Sequence, residues 1–352
     1  MAQDGMICVG IIGCGMISEF QAEAIAKIPG AKVIAFYDTF KAAAEKRAAQ
    51  FGGKACTHLE ELLSIPEIDA VSICTPSGLH MEAAIAAANA KKHVMVEKPI
   101  EITLERIDRI INTCRINNVK LGAIFPRRFM DSSQMLKKAI DAGRFGTIVL
   151  ADVYIKWYRT QEYYTHGGWR GTFQFDGGGA LMNQGIHGID LLQWLLGGVE
   201  EVSAFTATRA HTGIEVEDVA VASLRFRSGA LGVIEGTTGA WPGAKIRIEV
   251  SGSEGSVVME DESFPTWQFR NETPEDENIR RQFGGAGVQL SGGATDPRAI
   301  NSEGHRRQFE DFVSAIRENR LPKIDGAEAR AAVAIITAIY RSAQEHRVVS
   351  VE

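Results

Sequence analysis

Lys98, in the tripeptide Glu97-Lys98-Pro99, and His187, in the run Asn183-Gln184-Gly185-Ile186-His187, are the residues of this chain best suited to moving a proton. A lysine partly removed from water and set beside a cation has its charged form disfavoured, which makes it a proton shuttle near neutral pH. Histidine titrates there without help. Asn183 and His187 are four apart and Asp190 lies three further on, so a single α-helix would carry all three on one face. There Asn183 can orient a hydroxyl but cannot titrate, and Asp190 can steer the imidazole. The bland alternatives are a lysine fixed before proline by turn geometry and a histidine satisfied by its core neighbours. Upstream, Lys156–Gly171 gathers Trp157, Tyr163, Tyr164, Trp169 and Arg170. Aromatic faces stack on sugar rings and an arginine reads an anionic substituent, with core packing and an ion pair to Asp176 or Glu162 as the alternatives. Of the twin Arg127 and Arg128, one is a candidate for the substrate or for a domain interface.

A second constellation suits a dinucleotide. Gly13-Cys14-Gly15-Met16-Ile17-Ser18 lies between an apolar strand and a helix, where a pyrophosphate rests on backbone N–H groups and a helix N-terminus. Gly13 permits the turn and Gly15 the close approach, while Ser18 replaces the third glycine of the usual pattern. Asp38 ends the next strand, where a carboxylate accepts from ribose hydroxyls and repels a 2′-phosphate, so NAD is favoured over NADP. The expected cofactor set is Gly13, Gly15, Met16, Ile17 and Asp38, with Thr75, Pro76, His80, Glu97 and Lys98 at later strand ends. The remaining histidines show no metal-ligand spacing, and no metal is expected.

These residues need a scaffold, and the chain has two textures. From Ile7 to about residue 124, short apolar runs (Ile7–Ile12, Lys32–Tyr37, Ala70–Cys74, His93–Val96, Lys120–Ile124) alternate with amphipathic stretches, the mark of a doubly wound parallel sheet. Beyond it come longer β-branched stretches (Thr147–Tyr158, Val202–Ala210, Val219–Phe226, Ala230–Thr238, Lys245–Val250) that predict a large open, mostly antiparallel sheet. Helices are predicted over Gly179–Leu196, Ser302–Asn319 and Ala327–Gln344. The expected domains are 1–124 and 125–352, with the last helix packing back toward the first. Asn271–Ala299 reads as a long mobile loop.

The 352 residues carry 38 Lys plus Arg against 44 Asp plus Glu, a net charge of −6 that argues against nucleic acid or anionic membrane as a partner. No apolar run reaches the 18 or so residues of a membrane span. Five cysteines without a CxxC, and Asp4 where an export signal would be basic, predict a reduced cytoplasmic protein.

Taken in order, GCGMIS, Asp38, TPSGLH at 75–80, VEKP at 96–99, FPRRF at 125–129 and GGGALMNQGIHGIDL at 177–191 resemble the glucose-fructose oxidoreductase, inositol dehydrogenase and rhizopine-catabolism group, the Gfo/Idh/MocA family. The resemblance runs on to GHRRQFEDFVSAI at 304–316. It implies an N-terminal Rossmann domain, a C-terminal α+β domain, NAD or NADP, and a sugar-like or polyol substrate whose secondary alcohol is oxidised or reduced by hydride transfer. It also implies that Lys98 contacts substrate beside the nicotinamide, that His187 handles the hydroxyl proton, and that His305 begins a late helix, either as a substrate contact or as a simple cap. Inositol-dehydrogenase-like members carry Asp where this chain has Asn183, whereas members acting on nucleotide-linked sugars resemble the version found here. Alternatives are an inositol or cyclitol dehydrogenase, an NAD-dependent glycosidase that oxidises transiently, and a non-catalytic NAD(P)-binding regulator. A homodimer or homotetramer is expected by the same resemblance.

Overall fold

The structure, a computed structural model, describes residues 5–166, 168–284 and 302–352. They divide into two compact units. The first takes residues up to Pro126 and a returning segment up to Arg330, and the second takes Arg127 onward with Ala331–Glu352.

In the first unit, β1 (Ile7–Ile12), α1 (Met16–Ala26), β2 (Ala31–Tyr37), α2 (Lys41–Phe51), β3 (Lys54–Cys56), α3 (Leu59–Leu63), β4 (Ala70–Ile73), α4 (His80–Asn89), β5 (His93–Val96), α5 (Leu104–Ile116) and β6 (Leu121–Ala123) alternate. The six strands pair in parallel in the order β3-β2-β1-β4-β5-β6. Strand order reverses between β1 and β4, and the loops at the carboxyl ends of those strands border the crevice. All six residues of β1 are buried, as expected of a strand covered on both faces. One of those covers comes from far along the chain: Phe309, Phe312 and Val313 of the helix Glu303–Arg317 pack with Ile7, Val9, Ala24, Ile25 and Ile28. The Gln308 side chain ties that helix to the end of β6, accepting from the Phe125 amide at 2.9 Å and donating to the Ala123 carbonyl. The simple division at residue 124 is therefore corrected. The segment that returns is this helix, with only the first turn of the last one.

The second unit contains α6 (Asp131–Asp141), β7 (Ile148–Lys156), α7 (Gln161–Thr165), α8 (Ile186–Leu196), β8 (Val199–Ala207), β9 (Val219–Phe226), β10 (Leu231–Thr237), β11 (Arg247–Gly252), β12 (Gly255–Glu260), β13 (Ser263–Phe269), α9 (Pro274–Phe283) and β14 (Val349–Ser350). Glu303–Arg317 is α10, and Gly326–Glu345 is α11. The eight strands run β13-β12-β11-β7-β10-β9-β8-β14. Every neighbouring pair is antiparallel except β7 with β10, so the sheet is mixed. Helix α8 covers one face, with Gly188 against the Val153 and Ile155 side chains of β7. Two expectations change here. The helix predicted over Gly179–Leu196 begins as a π-helical stretch, Ala180–Gly185, before α8 takes over. Within Asn271–Ala299, α9 replaces loop, opened by a capping box in which Thr273 and Asp276 satisfy each other's amides and by Pro274 in the first turn. Residues 285–299 of that expected loop lie outside the described residues.

Candidate active site

The glycine loop of the first unit is built for a close ligand. Gly13 has φ +92°, and a Cβ there would sit 2.7 Å from the Cys74 carbonyl carbon, so only glycine fits. Around Gly15, by contrast, a Cβ would meet nothing within 4 Å, leaving open space at the N-terminus of α1. Met16 and Ile17 are the first residues of that helix. Ser18 is buried and donates to the Gly15 carbonyl at 2.6 Å, while the buried Arg47 donates to both at 3.1 Å. The small third residue thus braces the turn that glycine would merely permit. Asp38 accepts from the Cys14 amide at 2.7 Å through one oxygen and from the Phe40 amide at 2.8 Å through the other. Thr75 Oγ1 is buried beside this loop with no partner among the described residues. The cradle at Gly15, the fixed Asp38 carboxylate and the orphaned Thr75 hydroxyl together fit a dinucleotide.

Because Asp38 is pinned by two backbone donors, it cannot swing away from a 2′-phosphate. Lys41, the nearest cation in sequence, pairs with Glu45 at 3.3 Å. Like charges about 4 Å apart repel by roughly 4 kcal/mol at an effective dielectric of about 20. A third of that surviving solvent screening still separates NAD from NADP by about tenfold. Fluorescence titration with both reduced cofactors checks this, and equal affinities would refute it.

Lys98 is half-buried in a run, Val94–Glu101, whose other members are all buried. Its neighbour Glu97 accepts from the Lys98 amide at 3.1 Å and from Gln21 at 2.5 Å, and Gln21 in turn accepts from Ser72 and from Cys74 Sγ. Burial raises the Glu97 carboxyl above its ordinary value, against the charge of Lys98 and these donors. Glu97, expected at the cofactor, is thus an internal support of the lysine turn. His80 is buried with Nδ1 2.9 Å from the Pro99 carbonyl and Nε2 2.9 Å from the Thr75 carbonyl, joining the loops after β4 and β5; Pro76 lies between Thr75 and His80 in the first of them. Burial lowers its pKa. His305, on the first turn of α10, is buried with Nδ1 unpartnered among the described residues, and burial together with the charge of Lys98 pushes it down to about 4. Neutral His305 therefore belongs to the surroundings of Lys98.

In the second unit, Gly178 to Gln193 is buried at every position except Asn183 and His187, so this helix opens only those two side chains toward solvent. Asn183 donates to Asp176 at 2.6 Å, and Gln184 donates to the Tyr163 hydroxyl at 3.0 Å. The π-to-α junction falls between Asn183 and His187, so their four-residue spacing is not that of one uniform α-helix. Asp190 is gripped by Arg128, Nε to Oδ2 at 2.8 Å and Nη2 to Oδ1 at 2.6 Å, with both side chains buried. Both oxygens of Asp190, expected to steer the imidazole, are engaged by this guanidinium. Arg127, expected at the substrate, instead meets Asp261 at 2.9 Å in the turn between β12 and β13, because that turn supplies a nearly buried carboxylate.

Arg170 lies with its guanidinium 4.3 Å from the Tyr163 ring centroid and 5.3 Å from that of Trp169. Arg159, which sequence reasoning missed, lies 5.5 Å from Tyr163 and 5.0 Å from Trp157. Two guanidinium groups thus share one tyrosine. Burial lowers the pKa of Arg159, and Arg170 adds to the lowering. Arg170 Nε is buried without a hydrogen-bond partner among the described residues.

A parallel sheet with a glycine cradle at its switch point, followed by a mixed-sheet unit that opens an asparagine and a histidine to solvent, defines an NAD-binding oxidoreductase. Residues 7–125 match the model of the GFO/IDH/MocA oxidoreductase family with its NAD-binding Rossmann fold, and residues 133–258 match that family's C-terminal domain. The chain belongs to this family. It is 31% identical to scyllo-inositol 2-dehydrogenase (NAD(+)) of Bacillus subtilis over 71% of this chain and 72% of that protein. It is 28% identical to myo-inositol 2-dehydrogenase of Thermotoga maritima over 98% of each. The WlbA dehydrogenase of Bordetella pertussis, solved in complex with NADH and UDP-GlcNAcA, superposes with a TM-score of 0.91 at 35% identity, covering 100% of this chain and 99% of that one. Among the described residues, no helix is long and apolar enough to cross a membrane.

Proposed function

We propose that the chain oxidises a secondary hydroxyl on the ring of an anionic, nucleotide-linked pyranose. The observation that carries this is the pair of arginines on Tyr163, one with a buried donor unpartnered among the described residues, beside the strand of helix that opens Asn183 and His187. Arg170 and Arg159 suit a carboxylate on the sugar, a handle that an inositol lacks. The whole-chain likeness to a dehydrogenase crystallised with UDP-GlcNAcA supports the same choice over the inositol dehydrogenases, and so does Asn183, which cannot titrate.

Bound NAD supplies the acceptor for the hydride that leaves the carbinol carbon. His187 takes the proton of the hydroxyl, Lys98 donates a hydrogen bond to the oxygen as its charge develops, and Asn183 fixes a neighbouring hydroxyl. Trp169 and Tyr163 lie along the apolar side of the ring. Oligomers form through the sheet face opposite α8, where Phe205, Val221 and Leu231 are exposed, and the five buried, unbridged cysteines suit a reducing cytoplasm.

The test is NADH formation over matched UDP-hexuronates, UDP-hexoses, plain uronates and inositols. Arg170→Met should lower kcat/KM on the uronates by about 10- to 10²-fold, the worth of a charge-assisted hydrogen bond of roughly 1.5–3 kcal/mol, and leave neutral sugars unchanged. Inositols as the best substrates, or a uniform loss on every compound, would overturn the reading.

A further inference from the structure

The Gly177-Gly178-Gly179 run that precedes the histidine helix has a structural counterpart outside any substrate contact. Glu217, just before β9, accepts from the Gly179 amide through Oε2 at 2.8 Å and from the Leu181 amide through Oε1 at 2.8 Å, and its own carbonyl accepts from the Ala180 amide at 3.0 Å. One residue thus satisfies three consecutive amides at the start of the helix, donors that would otherwise be orphaned. Tyr340 of α11 donates to Oε1 at 2.9 Å. The glycines make the approach possible: a Cβ at Gly179 would fall 1.7 Å from the Glu217 carbonyl oxygen, and one at Gly178 would fall 2.2 Å from the Tyr340 hydroxyl. The Gly179 carbonyl then accepts from the Asn183 amide at 3.0 Å, which carries the placement toward His187. The next residue, Asp218, works on the other side. It accepts from the amides of Arg209, Ala210 and His211 at 2.7, 2.7 and 2.8 Å, and His211 Nε2 lies 2.9 Å from the Arg159 carbonyl.

We infer that Glu217, with Tyr340, is a positioning residue for His187, fixing the axial position of the helix that presents it and switching that hold with its own protonation. The inference rests on the oxidoreductase reading only for its kinetic arm. Burial pushes the Glu217 carboxyl up to about 7, against the pull of the Leu181 and Gly179 amides and the Tyr340 hydroxyl. The other titratable groups that feel it are Tyr164 and, through Tyr340, Asp176. A carboxyl raised in the folded state stabilises the fold below its ordinary pKa of about 4.5 and loses that contribution as pH rises through about 7. Ionisation tightens the two carboxylate hydrogen bonds to the Gly179 and Leu181 amides while lowering global stability.

The test compares wild type with Glu217→Gln and Tyr340→Phe as full-length protein carrying 13C-labelled histidine. In Glu217→Gln, kcat should fall by about 10- to 10²-fold, the cost of misplacing a reacting group by up to about 1 Å, with NAD affinity and the sugar KM little changed. The His187 ring resonance, assigned by its loss in His187→Ala, should titrate at a different pH from wild type. The melting temperature of the variant should lose the wild-type decline between pH 5 and 8. Tyr340→Phe, which deletes one hydroxyl and folds more safely, should lower kcat and move the His187 titration in the same direction by less, while its melting decline persists and shifts to higher pH because the carboxylate has lost a donor. An unchanged His187 titration and unchanged kcat in the folded variants overturn the inference. So does a loss of kcat that only tracks the folded fraction. The ring titration needs no substrate, so a wild type that oxidises no sugar would sink the catalytic reading without touching this one.

Discussion

Lys98→Met and His187→Ala should each lower kcat by about 10²–10⁴-fold, the usual worth of a positioned acid or base, while NAD affinity stays near wild type. The expectation follows from exposure and surroundings. Each is half-buried in a run whose other members, apart from Asn183, are buried, and each is supported from behind, Lys98 by Glu97 and Gln21 and His187 by the helix anchored on Glu217. The proposed seat of the cofactor, by contrast, is the backbone at Gly13 and Gly15 with Asp38. Steady-state kinetics on the best UDP-hexuronate, together with NADH fluorescence titration, give the answer. Near wild-type turnover in either variant makes that residue structural.

The largest stability effect is expected from Arg128→Met. The Arg128–Asp190 pair is almost fully excluded from solvent, and the guanidinium also lies 5.7 Å from the Trp194 ring centroid. Removing the cation leaves a carboxylate inside α8 without its main compensation, a change that typically costs about 3–5 kcal/mol. For a unit of this size each kcal/mol lowers the melting temperature by about 2–4 °C. Coupling Arg128→Met with Asp190→Leu should recover most of the loss, because two apolar side chains of similar volume replace a desolvated pair. Calorimetry decides it. A single variant that melts with the wild type would mean that the pair contributes nothing, and a double variant no better than the single would mean that packing, not charge, is at stake.

What the sequence made legible follows from physics that acts locally. The β1 to β2 segment with its glycine turn and Asp38 is a contiguous pattern, and its elements lie within a few residues of expectation. The three-residue β3 begins on a lysine and is too short to show a period. The last hairpin was hidden by Pro265 in β13, which is tolerated because β13 is an edge strand. Helix α9 could have been read from Thr273-Pro274-Glu275-Asp276, whose capping signal is local. The parallel pairing of β7 with β10 could not, since register between distant strands leaves no trace in either one. At the site, Asn183 and His187 stood out by spacing. Glu217 did not, because Glu215-Val216-Glu217-Asp218 looks like a solvated acidic turn until the fold buries Glu217 and Asp218 and leaves Glu215 exposed.

The returning helix α10 has a bearing on how the protein is made. The sheet of the first unit is complete in sequence once β6 leaves the ribosome, yet Ile7, Val9, Ala24, Ile25 and Ile28 are sealed only when Phe309, Phe312 and Val313 arrive nearly 200 residues later. At about 5–20 residues per second of synthesis, a greasy surface stays open for roughly ten to forty seconds while residues 127–300, the larger part of the second unit, are translated. The nascent chain is therefore a natural client for a chaperone that holds apolar surface. Proteolysis of stalled chains should find the N-terminal half open until codon 317 has been read and the exit tunnel cleared.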